Sequence, residues 1–427
     1  MNYTRGSILA LLARGVALVF GTIVAIALAR WLGPADRGSY GVVTSFAALV
    51  VVAINLGLGD AQTHFVGREP SGLGRATANT FVFSLASGIA AAVALVAVAG
   101  PLAGEIGAFD DGRTIAIVGI TIPALLMYGF AHSLLTAARS FAASAALIAS
   151  AYILLLVALA ICTSLLGAGL IGALVAWSAA HLVLVTLALI VLAREGGIAA
   201  PRPSRLVTEL RFGSATWVVS LATLLAGRVA LLIAGAELEP AEVGRYAVAL
   251  TLVELLWYAS ESASVGLGPL VARSTVLDTT APTGEVIRTV VALTGIAGIV
   301  VIAAAEPIVV LMFGPDYAGA ADAVRWLVPG VIAFSVFRLL MADLIGRGMP
   351  RRGVVSAIVV AVLTIVGSIA LVTPLGIVGG AAATTVGYLA GTVLLLRASA
   401  AATGTRILEL IVPQPSDIGR LWSRLRS

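Results

Sequence analysis

The stretch Pro34-Ala35-Asp36-Arg37-Gly38-Ser39-Tyr40 returns as Pro240-Ala241-Glu242-Val243-Gly244-Arg245-Tyr246, the pattern Pro-Ala-acid-x-Gly-x-Tyr displaced by 206 positions. The same displacement carries Pro123 onto Pro329 and Leu134 onto Leu340. A displacement of 209 carries Gly57-Leu58-Gly59 onto Gly266-Leu267-Gly268. Recurrence at nearly constant spacing marks a duplicated chain with two equivalent halves. In an apolar chain, duplicated halves predict a transporter whose site lies between them.

Composition supplies the second half of that argument. The 427 residues are 60% hydrophobic and only 11% charged, against roughly 25% charged in soluble domains. Apolar runs of about 20 residues recur along the chain, each long enough to cross a hydrocarbon core of about 30 Å. Twelve spans are predicted, at 7–30, 39–64, 77–103, 114–138, 141–166, 169–193, 212–235, 243–268, 286–311, 321–345, 353–374 and 376–397. They are read as helices because a bilayer leaves no partner for an open backbone. Thr373-Pro374-Leu375-Gly376 is the turn that separates the last pair. The predicted fold is an all-α polytopic membrane protein of two six-helix lobes, related by a pseudo-twofold axis along the membrane normal. The lobes are residues 1–198 and 212–397, joined by a polar linker at 199–211 and followed by an amphipathic or disordered tail at 398–427.

Arginine decides the orientation. All 26 basic residues are arginine. With the N-terminus inside, 18 of them fall in cytoplasmic segments, among them Arg68, Arg75, Arg194, Arg202, Arg347 and Arg351. Only Arg30, Arg37, Arg113, Arg245 and Arg325 fall outside, so the positive-inside rule places both termini in the cytoplasm. The prediction is a multi-pass protein of a bacterial cytoplasmic membrane.

Several chemistries are excluded. Without lysine no phosphate-binding Gly-x-x-x-x-Gly-Lys-[Ser/Thr] loop exists, so the chain does not itself hydrolyse ATP. No histidine and cysteine cluster has metal spacing, and Cys162 has no intrachain partner. No cofactor, metal, catalytic residue or nucleic-acid partner is expected. What remains is charge inside the spans, costing about 2.5–3.5 kcal/mol per residue on insertion scales, so each instance needs a reason. Arg14, Arg228 and Arg338 are the basic instances; Asp60, Glu254, Glu261 and Asp343 are the acidic ones. A cavity arginine suits a phosphorylated ligand, because its planar fork stays charged and engages phosphate oxygens in pairs. The acids are candidates for ion coupling. The competing reading is internal pairing, for instance Arg228 with Glu254 or Arg338 with Asp343. His132 and His181 are further titrating groups, and His181 is read as a hydrogen-bonded packing residue.

The segment Arg30-Trp31-Leu32-Gly33-Pro34-Ala35-Asp36-Arg37-Gly38-Ser39-Tyr40-Gly41 resembles the R-x-L-G-P-x-x-x-G-x-Y-G signature of bacterial polysaccharide flippases, within the multidrug/oligosaccharidyl-lipid/polysaccharide exporter superfamily. Asn55-Leu56-Gly57-Leu58-Gly59 and Leu375-Gly376-Ile377-Val378-Gly379-Gly380-Ala381-Ala382 are similar to the same family. The resemblance implies two six-helix bundles that alternate in access. It further implies a polyprenyl-diphosphate-linked glycan as cargo, moved from the cytoplasmic to the outer leaflet, with cavity arginines receiving the headgroup. Membrane lipids are then the surroundings, and a polysaccharide polymerase and glycosyltransferases are candidate protein partners. The alternatives are an organic-cation antiporter working through Glu254, Glu261 and Asp343, a membrane-embedded glycosyltransferase, polymerase or ligase, and a non-transporting scaffold for the synthesis enzymes. The predicted outside loops are too short to carry the chemistry of such an enzyme.

Overall fold

The computed structural model describes residues 3–138, 140–167, 169–197, 199–257, 260, 280–347, 349, 351–404 and 406–411. Among the described residues there are α-helices and short 3-10 turns and no strand. In chain order the helices are α1 (Tyr3–Asn55), α2 (Leu58–Arg68), α3 (Leu73–Ala97), α4 (Ala99–Glu105), α5 (Gly112–Ala137), α6 (Phe141–Leu166) and α7 (Leu170–Gly196). There follow α8 (Pro203–Glu237), α9 (Pro240–Glu254), α10 (Thr280–Ala303), α11 (Ala305–Phe313), α12 (Ala320–Gly346), α13 (Arg351–Thr403) and α14 (Ile407–Ile411).

Nine of the described helices are long and apolar enough to cross a membrane. Two of them, α1 and α13, contain 53 residues each and hold two spans apiece across a kink. The remaining span begins with α9, whose continuation lies outside the described residues. Among the described residues eleven of the twelve predicted spans are thus accounted for, with the first part of the remaining one.

The kinks follow from local chemistry. Gly33 sits at φ 71° and ψ 173°, a backbone that residues with a side chain resist. Pro34 follows it; with φ pre-set and no N–H to lose, it opens the second half of α1. The predicted spans 7–30 and 39–64 leave residues 31–38 between them. Only Gly33 is non-helical, because a proline in the first helical turn starts a helix rather than ending one. Gly376, at φ 58°, does the same in α13 just after Pro374. A third break falls inside the second span, where Leu56 and Gly57 have φ 53° and 74°. Asn55 Oδ1 accepts the Gly57 N–H at 2.7 Å and holds that bend between α1 and α2.

By contacts the chain divides into two compact units, residues 1–248 with 312–316, and 249–311 with 317–427. This boundary follows packing, whereas the lobes at 1–198 and 212–397 follow the repeat. In unit 1, α3, α5, α6 and α7 enclose Leu73, Met127, Leu134, Leu147, Leu184 and Leu192. Leu206 and Leu210 of α8 pack on Leu58, Leu126 and Phe130, which draws α8 into the same unit. In unit 2, α12 and α13 approach closely at Gly330 and Thr385, where a Cβ on Gly330 would lie 2.7 Å from the Thr385 Cα. Thr385 Oγ1 also donates to the Trp326 carbonyl at 2.6 Å, and Thr392 Oγ1 to that of Ala333 at 3.1 Å.

One buried polar side chain holds the linker. Asn79 of α3 accepts the Arg202 N–H at 2.6 Å and donates to the Arg202 carbonyl at 3.2 Å, fixing the residue that precedes α8. Asn79→Ala leaves that peptide without either partner, at a cost of about 1–3 kcal/mol. The expected results are a lower melting temperature and faster tryptic cleavage after Arg205, the next arginine on and the first followed by a residue other than proline. A variant equal to wild type in both would show that the clamp does not hold the linker.

Candidate functional site

The repeated motif is a contact. A Cβ on Gly38 would lie 2.7 Å from the Gly244 nitrogen and would strike the Pro240 carbonyl. Reciprocally, a Cβ on Gly244 would lie 3.0 Å from the Pro34 Cα and strike the Pro34 carbonyl. The first turns of the second half of α1 and of α9 therefore touch backbone to backbone, which only glycine permits. Tyr40, Tyr246 and Arg37 are buried beside this contact. It continues as a seam along α8: Gly235 faces Val42, and the Trp217 indole N–H donates to the Val52 carbonyl at 2.8 Å. At the far end a Cβ on Gly57 would lie 2.9 Å from the Gly213 Cα.

Two arginines of the motif regions act on one segment. Arg30 Nε donates to the Met312 carbonyl at 3.0 Å, and Arg245 Nε to the Asp316 carbonyl at 3.1 Å. Both bonds lie within unit 1, to which residues 312–316 belong. The motif acid Asp36 accepts the Leu170 N–H at 3.2 Å, placing a carboxylate at the positive end of α7.

The candidate charges take different places. Arg228 is half-buried and recurs at helical spacing with Gly213, Trp217, Leu231 and Gly235, the face of α8 turned to the seam. Arg14 lies on α1, but its side chain, like the whole of Glu261, lies outside the described residues. Asp60 is exposed in the first turn of α2, where a carboxylate favours the helix N-terminus. In unit 2, Arg338 is half-buried with its Cζ 5.8 Å from the centre of the Trp257 ring. Glu254 is half-buried at the end of α9.

Asp343 is buried, and its bidentate partner is Arg347, at 2.7 and 3.0 Å, rather than the Arg338 that sequence proximity suggested. Four residues bring two helical side chains onto one face, whereas five carry them apart. Thr283 Oγ1 donates to the same carboxylate at 2.8 Å. His132 shares a 2.8 Å hydrogen bond with Ser144 Oγ. His181 Nδ1 donates to the Trp177 carbonyl at 2.8 Å, and its ring meets Tyr128 edge-on.

Sequence reasoning passed over Arg37, Arg288, Arg347, Glu209 and Asn79, all of which are buried. The arginines lie near span ends, where charge pattern alone assigns them to loops. The i, i+4 spacing of Asp343 and Arg347 was the available signal, and so was a lone Asn inside the apolar run of α3.

Among curated proteins none matches the sequence. Solved structures share its fold, among them the following three. A lipid II flippase, MurJ, in an inward closed conformation superposes with TM-score 0.75 at 13% identity, over 94% of this chain and 89% of its own. An inward-facing multidrug resistance MATE family transporter of the MOP superfamily gives 0.71 at 15% identity, over 98% of both chains. A MOP superfamily transporter from Pyrococcus furiosus, described as having a binding pocket of reverse polarity, gives 0.63 at 14% identity over 92% of this chain and 96% of its own. The fold is thus the two-lobed, twelve-helix fold of these transporters, and the chain is a multi-pass membrane protein. Residues 3–265 match the family model for polysaccharide biosynthesis proteins, and the chain belongs to that family.

Proposed function

We propose that this protein is a flippase that moves a polyprenyl-diphosphate-linked oligosaccharide from the cytoplasmic to the outer leaflet of a bacterial cytoplasmic membrane. It does so by alternating access of two six-helix lobes, with both termini cytoplasmic and without catalysing a covalent step. The observation that carries the reading is the placement of guanidinium groups within the spans of a polysaccharide-biosynthesis family member, Arg228 on the seam face of α8 and Arg338 over Trp257. Arg14, Arg228 and Arg338 are the proposed headgroup-binding residues. Their guanidinium forks match the paired oxygens of a diphosphate. The protein partners proposed are the glycosyltransferases that load the lipid and the polymerase that receives it.

An organic-cation antiporter would need acids open to a cation. Asp343 is instead held by Arg347 and Thr283, which weighs against that reading.

The test is translocation in reconstituted vesicles, using a fluorescent polyprenyl-diphosphate oligosaccharide as cargo. Wild type is expected to move it. Arg228→Ala and Arg338→Ala should each lower the rate by tenfold or more, the scale of one lost charge-assisted interaction of about 1.5–3 kcal/mol. Membrane levels should be nearly unchanged. Wild type that exchanges organic cations but leaves the glycolipid in place would establish the antiporter reading instead.

A further inference from the structure

The aromatic cluster of unit 2 surrounds a hydrogen-bond donor that has no partner among the described residues. Phe334, Phe337 and Tyr388 are buried and stacked, with ring centres 4.2 Å apart for Phe334 and Tyr388 and 5.2 Å for Phe334 and Phe337. Trp257 leans on them at 5.5 Å from Phe334 and 6.3 Å from Tyr388. Those three rings are buried, while Trp257 itself remains partly exposed. Its indole nitrogen is nevertheless buried and has no acceptor among the described residues. The other tryptophan N–H of similar setting, Trp217, has a carbonyl at 2.8 Å.

Three features explain why a donor would be kept in reserve there. The guanidinium of Arg338 stands over the same ring, so the positive charge is held at a fixed place by the ring's electron-rich face. The backbone under Trp257 leaves the α-helical pattern. Leu255 and Leu256 donate to carbonyls three residues back, at 3.3 and 3.1 Å, so α9 gives up its regular ladder immediately before the indole. A discontinuous span is where membrane transporters expose groups to cargo. Finally, half-buried Glu254 and Arg338 inside spans mark a polar surface rather than a lipid-facing one.

We propose that Trp257 is a positioning residue for Arg338 and donates its indole N–H to the same phosphoryl headgroup that Arg338 engages. The guanidinium supplies the charge, and the N–H supplies a second, directional donor once the turn at Leu255 and Leu256 loosens. The ligand class is a diphosphate on a lipid. This assignment rests on the flippase reading given above.

The experiment measures binding to the full chain in lipid nanodiscs, with geranylgeranyl diphosphate as the probe. Geranylgeraniol reports the prenyl chain alone, and inorganic diphosphate reports the headgroup alone. Trp257→Phe keeps an aromatic ring and removes the N–H. Replacing Trp257 by β-(3-benzothienyl)alanine keeps the full bicyclic shape and removes only the N–H, so it serves even where the phenylalanine variant folds poorly.

Both are expected to weaken geranylgeranyl diphosphate five- to tenfold and to leave geranylgeraniol unchanged. Inorganic diphosphate should compete, and its competition should weaken by the same factor, which places the effect on the phosphoryl groups. A purely structural tryptophan would instead move all three probes together with the melting temperature. Undiminished diphosphate affinity in the benzothienyl variant would overturn the role given to Trp257 while leaving the flippase reading intact. Wild type that binds neither diphosphate would overturn both.

Discussion

Gly38→Val should abolish translocation while the protein still inserts and folds. The substitution puts a branched side chain where even a Cβ would lie 2.7 Å from the Gly244 nitrogen and against the Pro240 carbonyl. Backbone on both sides leaves nothing flexible to move aside. Overpacking of this kind costs about 1–3 kcal/mol. Here the first turns of the second half of α1 and of α9 can relieve it by separating, so the cost falls on the closed seam rather than on the helices. A bias of about 3 kcal/mol shifts the balance of two states by roughly a hundredfold. A transporter that must close this seam in every cycle would then stall. Gly244→Val should behave alike, because its Cβ strikes Pro34. Gly129→Val is the control, since nothing lies within 4 Å of a Cβ there. Equal transport by all three variants would show that the motif glycines serve no closure.

Asp343→Ala should destabilise the protein by about 3–5 kcal/mol, the range found when one member of a buried pair is removed. The Asp343 and Arg347 side chains are 1% and 4% exposed, so the guanidinium left behind loses its counter-charge away from water. Thr283 Oγ1 would lose its acceptor as well. The expected results are a large fall in membrane level and in melting temperature. Asp343→Leu combined with Arg347→Met should recover most of both, because it removes the charges together. If Asp343→Ala instead folds like wild type and transport loses its dependence on an ion gradient, Asp343 is a coupling group and its structural role is secondary.

The fold was largely legible because a bilayer removes choices. Apolar runs of span length can only be helices, and the recurrence of Pro-Ala-acid-x-Gly-x-Tyr exposed the duplication. The same motif also marked Gly38 and Gly244 as equivalent, although sequence alone does not say that equivalent positions touch. Side-chain pairing was less legible. Asp343 has two arginines nearby in sequence, and only the helical geometry of an i, i+4 pair selects Arg347 over Arg338. Arg30 and Arg245 read as outside loop charges, whereas each holds a backbone carbonyl of residues 312–316, nearly 300 and about 70 positions away. Contacts made by a guanidinium to distant backbone leave no pattern in the sequence, since any residue offers the carbonyl. Trp257 carries no mark of its role in the sequence, because an unpartnered N–H is a property of surroundings.

The central claim is that cargo crosses by opening and closing the seam at the repeated motif, and a reversible lock tests it most directly. Gly41 and Ala247 lie on that seam, with a Cβ on Gly41 standing 3.1 Å from the Ala247 Cβ. This needs only slight widening to reach the roughly 3.5–4.5 Å of a disulfide. Gly41→Cys with Ala247→Cys, in a background where Cys162→Ser removes the one native thiol, forms the lock on oxidation. Translocation of a polyprenyl-diphosphate oligosaccharide would be followed in vesicles before oxidation, after it, and after reduction. The account predicts normal transport when reduced, none when oxidised, and recovery on reduction, with cytoplasmic-side binding of the glycolipid intact throughout. Undiminished transport by the fully crosslinked protein would contradict it.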